Sequence, residues 1–175
     1  SDKIQYELYL TWLTEETIRN ISADQKEPEW MLKHRLECLK IFRKMKLPTR
    51  WPNLSELNFD DIVYYAKPHK DNEWYANDWK DVPTKIKEKF KRLGIPEAEQ
   101  KYLAGAGGQY DSLNVYHKIK EQRAEKWIIF EDMPQAVIKY PELVKKYFMT
   151  LVPANDHIFA ALHGAVWSGG TFIYV

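Results

Sequence analysis

Hydrophobic positions along the chain change period several times. Ile4, Tyr6, Leu8, Leu10 and Trp12 alternate with Gln5, Glu7 and Thr11, a spacing of two that predicts a half-buried strand, with Tyr9 out of phase. Thr14 then offers an N-cap to a short helix whose first turn carries Glu15 and Glu16 and whose inward positions are Ile18 and Ile21. Pro28 suits the first turn of a second helix. There Met31, Leu32, Leu36, Cys38, Leu39, Phe42 and Met45 form an apolar stripe that Pro48 ends.

From Thr49 to Pro83 the pattern fails, broken by Trp51-Pro52, Lys67-Pro68 and the polar run Lys70-Asp71-Asn72-Glu73, with a short element over Phe59 to Tyr65. Asp81 and Pro83 open a helix with Ile86, Phe90 and Leu93 on one face, closed by Gly94. Pro96 opens another, through Glu97 to Leu103. Val115 to His117 reads as a strand, Ile119 to Lys126 as a turn or two of helix, and Ile128 to Phe130 as a buried strand. Pro141 starts a helix with Val144, Tyr147 and Phe148 on a shared face, and Asp156 starts one reaching His163. Gly169-Gly170 then feeds a β-run, Thr171 to Val175.

Composition narrows the class. A chain of 175 residues with 45% hydrophobic residues can bury about 70% of its unfolded surface, enough for a core. Lys and Arg number 26 against 25 Asp and Glu, so net charge points to neither a nucleic-acid nor an acidic partner. No run nears the roughly 20 apolar residues of a membrane span, and the first residues carry no secretory pattern, so a cytoplasmic location is expected. The single cysteine, Cys38, excludes an internal disulfide.

Candidate chemistry is sparse. His34 and Cys38, four apart on the second helix, share a face and could both point at a metal, but two ligands fall short of a site, and a core cysteine with an exposed histidine is the favoured reading. Gly105-Ala106-Gly107-Gly108 lacks the Lys-Ser/Thr pair of a phosphate loop and reads as a hinge or a helix terminator. Lys85, Lys89 and Arg92 read as a solvated basic face. Asp60-Asp61 and Glu131-Asp132 read as surface acids or caps, since adjacent carboxylates say nothing about flanking a substrate. His117, His157 and His163 have no nucleophile placed beside them by a motif, so no catalytic residue is assigned. Trp74, Tyr75 and Trp79 could stack on a carbohydrate or on single-stranded nucleic acid, although Asp71, Glu73, Asp78 and Asp81 would repel the latter. Loop anchoring is the favoured reading of these rings.

A resemblance goes further. In order along the chain, TEETIRNISADQKEPEWMLKHRLECLKIF (Thr14 to Phe42), NFDDIVYYAKP (Asn58 to Pro68), DWKDVPTKIKEKFKRLGIPEAEQKYLAGAGGQYDS (Asp78 to Ser112), NVYHKIKE (Asn114 to Glu121) and YPELVKKYFMTLVPANDHIFAALHGAVWSGGTFIYV (Tyr140 to Val175) resemble the amino-terminal region of the SufB family, scaffolds of the SUF iron–sulfur cluster assembly system. The resemblance implies an α+β fold: a mainly helical amino-terminal domain, residues 1–166, leading at residues 167–175 into the first strand of a right-handed parallel β-helix whose further coils lie beyond this chain. It implies a non-enzymatic scaffold. That scaffold would work with the SufC ATPase, with SufD or a second SufB, and with a cysteine desulfurase as sulfur source. The nascent cluster's ligands are expected beyond Val175, so none is assigned here. Some members carry an amino-terminal cysteine cluster, which this chain, with Cys38 alone, does not match. The isolated chain is therefore expected to be inactive in assembly, in the cytoplasm or, in a eukaryote, the plastid.

Overall fold

The computed structural model describes residues 6–49, 54–68, 84–92, 94, 107–110, 113–117 and 128–175. The chain divides into two units. One comprises Ser1–Leu8, Ala66–Met133 and Gly169–Val175, and the other Tyr9–Tyr65 and Pro134–Ser168.

Strand β1 (Tyr6–Thr11) pairs with β2 (Val63–Pro68) in a two-stranded sheet. Its exposure alternates as the period of two requires, and Tyr9, out of phase in the hydrophobic pattern, falls on the exposed side at 55%. Just before β2, the short 3₁₀ turn Phe59–Asp61 is capped by Asn58, whose side chain accepts from the Asp60 amide at 3.1 Å.

The second unit is helical. Helix α1 (Glu15–Asp24) starts at Thr14, whose hydroxyl accepts from the Thr17 amide at 3.1 Å, and it buries Thr17, Ile18, Ile21 and Ser22. It ends in a Schellman turn: the Lys26 amide donates to Ala23 and the Glu27 amide to Ser22, with Lys26 at φ +54°. Helix α2 (Glu29–Lys44) follows at once, with Pro28 at its N-cap. Its inward face is Met31, Arg35, Cys38 and Leu39, while Leu32 and Leu36 pack half-buried against the cluster of Ile18, Cys38, Leu39 and Ala165. The apolar stripe expected from the sequence is therefore present, but an arginine sits in its buried line.

Helix α4 (Met133–Lys139) buries Ala136 and Val137. Helix α5 (Pro141–Tyr147) has its proline in the first turn and buries Val144. Helix α6 (Ile158–Val166) lays Ile158, Ala161, Gly164 and Ala165 against α2 and touches α1. Small residues at three of those four positions let the two backbones come close.

In the first unit, helix α3 spans Thr84–Arg92. Strands β3 (Gly107–Tyr110) and β4 (Leu113–His117) pair antiparallel, from Gly107 opposite His117 to Tyr110 opposite Leu113, with an irregularity between Gly108 and Gln109. Gly107 and Gly108, expected in a hinge or at a helix end, thus open a strand. Strand β5 (Ile129–Asp132) pairs antiparallel with β6 (Thr171–Tyr174), placing Ile129 opposite Tyr174 and Asp132 opposite Thr171. The Met133 amide donates to the Gly170 carbonyl at 2.9 Å, and Gly170 sits at φ +145°, where a side chain would be strained. The terminal β-run expected from the sequence is present, and among the described residues its partner is β5.

Candidate functional site

The most chemically dense region of the helical unit is the seam between α2 and α6. It is built around the Schellman turn, which delivers Glu27 to the start of α2 two turns from Arg35. Arg35 is fully buried and holds Glu27 in a fork: Nε to one carboxylate oxygen at 2.7 Å and Nη2 to the other at 2.6 Å. The same guanidinium donates to the carbonyls of Ala165 and Trp167, each at 2.9 Å, and lies 4.6 Å from the centre of the Trp167 ring. Those carbonyls belong to the end of α6, where the last turn leaves acceptors unpaired within the helix. Arg35 thus ties the end of α1, the middle of α2 and the end of α6 through one charge.

One residue before Arg35 and three after it, His34 and Cys38 stand on adjacent turns of α2. Cys38 is 1% exposed, and its sulfur lies 3.4 Å from His34 Nε2. The same nitrogen lies 3.4 Å from the sulfur of Met149, which follows α5. Phe148 packs edge-on to the His34 ring at 5.3 Å between centres, fixing its plane. Gly164 of α6 faces both sulfurs: a Cβ there would meet Cys38 Sγ at 2.5 Å and Met149 Sδ at 2.9 Å.

The electrostatics follow from burial. It pushes the Cys38 thiol up to about 11, against an opposing pull from Arg35, so the sulfur is protonated at neutral pH. Burial, then the Arg35 charge, holds His34 below the ordinary imidazole value, with Glu27 opposing. His163 is lowered by the same two causes. Both rings therefore favour the neutral form. Tyr65 donates to Asp24 at 2.7 Å, and its phenol is raised first by burial and then by that carboxylate.

Beside the seam a groove of about 570 Å³ runs along the segment after α5 and the outer turns of α6. Met149, Leu151, Val152, His157, Ala160 and His163 contribute to its walls. Leu151 is 96% exposed. His157 is committed to capping α6, its Nδ1 accepting from the Phe159 amide at 3.2 Å.

Of the residues singled out in the sequence, His34 and Cys38 are therefore together, and His163 lies nearby on α6. Asp60 and Asp61 belong to the capped 3₁₀ turn, where Asn58 donates to Asp61 at 2.8 Å. Glu131 and Asp132 lie on β5, His117 on β4, and Lys85, Lys89 and Arg92 on α3. Gly105, Ala106, Asp71, Glu73, Trp74, Tyr75, Asp78, Trp79 and Asp81 lie outside the described residues, as do the elements expected over Glu97 to Leu103 and Ile119 to Lys126. Met149 and Arg35 carried no sequence signal: one is 115 positions from its histidine partner, and the other is a charge in an apolar stripe. Among the described residues, no three His, Cys, Asp or Glu side chains gather as a metal site, and no helix is long and apolar enough to cross a membrane.

No protein-family model matches the chain. Curated proteins do. An iron-sulfur cluster assembly SufBD family protein of Staphylococcus aureus is 55% identical over 163 residues, which cover 93% of this chain and 34% of that protein. The chain is similar to SufBD proteins. A SufBD family protein of Staphylococcus haemolyticus matches over the same extent at the same identity. The chain spans about a third of the length of these SufBD relatives, and their shared name joins SufB and SufD without choosing between them.

Proposed function

We propose that this chain is the amino-terminal part of a SufB-type scaffold for iron–sulfur cluster assembly. The observation that carries the reading is identity of 55% along 93% of the chain with proteins named for that assembly system. The ordered segments from Thr14 to Val175 favour SufB over SufD within it. In this reading the polypeptide is not itself an enzyme. ATP hydrolysis belongs to SufC, and SufD or a second SufB completes the complex. A cysteine desulfurase supplies sulfur, the nascent cluster is cargo, and the work is done in the cytoplasm.

The helical unit then serves as a rigid cap, held by the Arg35 network, and β6 as the lead-in to a parallel β-helix. A solenoid coil buries its faces only against neighbouring coils, and in this reading the antiparallel β5–β6 pair precedes the parallel coils rather than forming one of them. A segment exchange tests the proposal. The matching 163 residues of the Staphylococcus aureus relative are replaced by this chain, the chimera is co-expressed with SufC and SufD, and iron and acid-labile sulfide are measured on the purified complex. The proposal expects cluster loading equal to that of the parent. A folded chimera that retains SufC yet accumulates neither iron nor sulfide would overturn it.

A further inference from the structure

We propose that His34, Cys38 and Met149 form a binding site for a single soft cation, Cu(I). The inference is independent of the assembly function above and rests on three features of the α2–α6 seam.

The first is the position of the donors. One ring nitrogen, His34 Nε2, has two sulfurs at the same 3.4 Å. A single ring nitrogen offers one hydrogen-bonding direction, in the ring plane. If the Cys38 thiol donates to it, its lone pair is spent and the thioether of Met149, which cannot donate, faces it without a hydrogen. If the nitrogen carries the proton, one sulfur takes it well and the other poorly. A cation between the three satisfies all of them. With metal–sulfur distances of about 2.3 Å and metal–nitrogen distances of about 2.0 Å, a nitrogen and a sulfur around one ion stand roughly 3.6–4 Å apart, so each nitrogen–sulfur separation of 3.4 Å need widen by only a few tenths of an ångström.

The second is Gly164. Both sulfurs press on the point where its Cβ would lie, at 2.5 and 2.9 Å, so the absence of a side chain at this position is what lets the two sulfurs stand together beside the ring nitrogen. The third is the backbone of Met149, at φ +54°. Phe148, at φ −61° and ψ 123°, and Met149 are the central residues of a turn in which the Thr150 amide donates to the Tyr147 carbonyl at 3.3 Å. That geometry ordinarily selects glycine or asparagine at the second central position. A methionine held there stores strain of about 1–3 kcal/mol, and such strain gathers where a side chain must be held for use.

Donor chemistry selects the ion. Thiolate and thioether sulfur with imidazole suit Cu(I), whereas zinc wants a closed set of four from Cys, His and carboxylate, and no such gathering exists among the described residues. Binding breaks the Cys38 S–H bond and forms a Cu–S bond, the proton passes to solvent, and no electron moves. Cys38 is 1% exposed, which favours an ion held within one chain over one shared between two.

The test is anaerobic titration of the full chain with Cu(I) in competition with a chromophoric Cu(I) chelator. X-ray absorption at the copper edge and sedimentation follow on the product. Expected are one copper per monomer, two sulfurs and one nitrogen around it, and a loss of affinity of about tenfold or more in Met149→Leu, which keeps the volume and the fold while deleting the donor. Cys38→Ser should lose binding, and Met149→Leu keeps the proposal testable if that variant fails to fold. Sub-stoichiometric binding, a copper-bridged dimer, a single sulfur scatterer, or unchanged affinity in folded Met149→Leu would each overturn it.

Discussion

Arg35 shows how one charge can organise a seam. It is fully buried together with the Glu27 side chain, and its other donors reach two carbonyls at the end of α6. Removing one partner strands a buried carboxylate, which costs more than a surface pair ever contributes. Arg35→Met should therefore cost about 3–5 kcal/mol in urea unfolding, and adding Glu27→Met should recover part of that loss. A single-variant loss below about 1 kcal/mol would show that the network carries little. Gly164 gives a second case in which magnitudes decide the sign. Alanine is favoured over glycine in a helix by about 1 kcal/mol, but here its methyl would meet the Cys38 sulfur at 2.5 Å. Overpacking, at about 1–3 kcal/mol, wins, so Gly164→Ala should destabilise, and Cys38→Ala should relieve it. Additive effects of the two changes would contradict the contact.

At the scale of elements, caps and periods were legible and long-range chemistry was not. Thr14, Pro28, Pro141 and the glycines before Thr171 mark boundaries because their backbone preferences are local. Helix α4 has little sequence signal, since it is seven residues long, carries Pro134 and buries only Ala136 and Val137. The pairing of β5 with β6 joins segments some forty positions apart, and no local signal encodes that. Likewise the pair His34–Cys38 was visible as a helical spacing, but its third neighbour, Met149, comes from another element. The turn after α1 supplies a prediction here. Lys26 occupies the left-handed position of the Schellman turn, where a Cβ costs about 1–2 kcal/mol, and its side chain is exposed. Lys26→Gly should raise stability by about 1 kcal/mol, read as a higher denaturation midpoint with unchanged slope. A lower midpoint would mean that Lys26 makes a contact worth more than the strain.

For the whole molecule, the buried titratable groups set a pH window. His34 and His163 are both lowered, so the unfolded chain takes up their protons first, and stability is lost as pH falls through the ordinary value of 6.5 toward the folded ones. Cys38 is raised, so the unfolded chain releases that proton first, and stability is lost as pH rises from 9.0 toward about 11. Denaturant unfolding of the metal-free protein should thus show a plateau between these limits, and Cys38→Ala should remove only part of the alkaline decline, since Tyr64 and Tyr65 are raised as well. Stability that rises on acidification would contradict the burial of both rings.

Assembly is the larger claim. An iron–sulfur cluster usually takes four protein ligands and the chain holds one thiol, so the proposed reading gives this part of the scaffold an architectural share of the work. The most direct measurement is anaerobic reconstitution with iron and sulfide, side by side, of this chain and of the full-length Staphylococcus aureus relative, followed by visible absorption and metal analysis. A cluster on the relative and none on the isolated chain is the predicted result. A stoichiometric cluster on the monomeric chain alone would contradict the account.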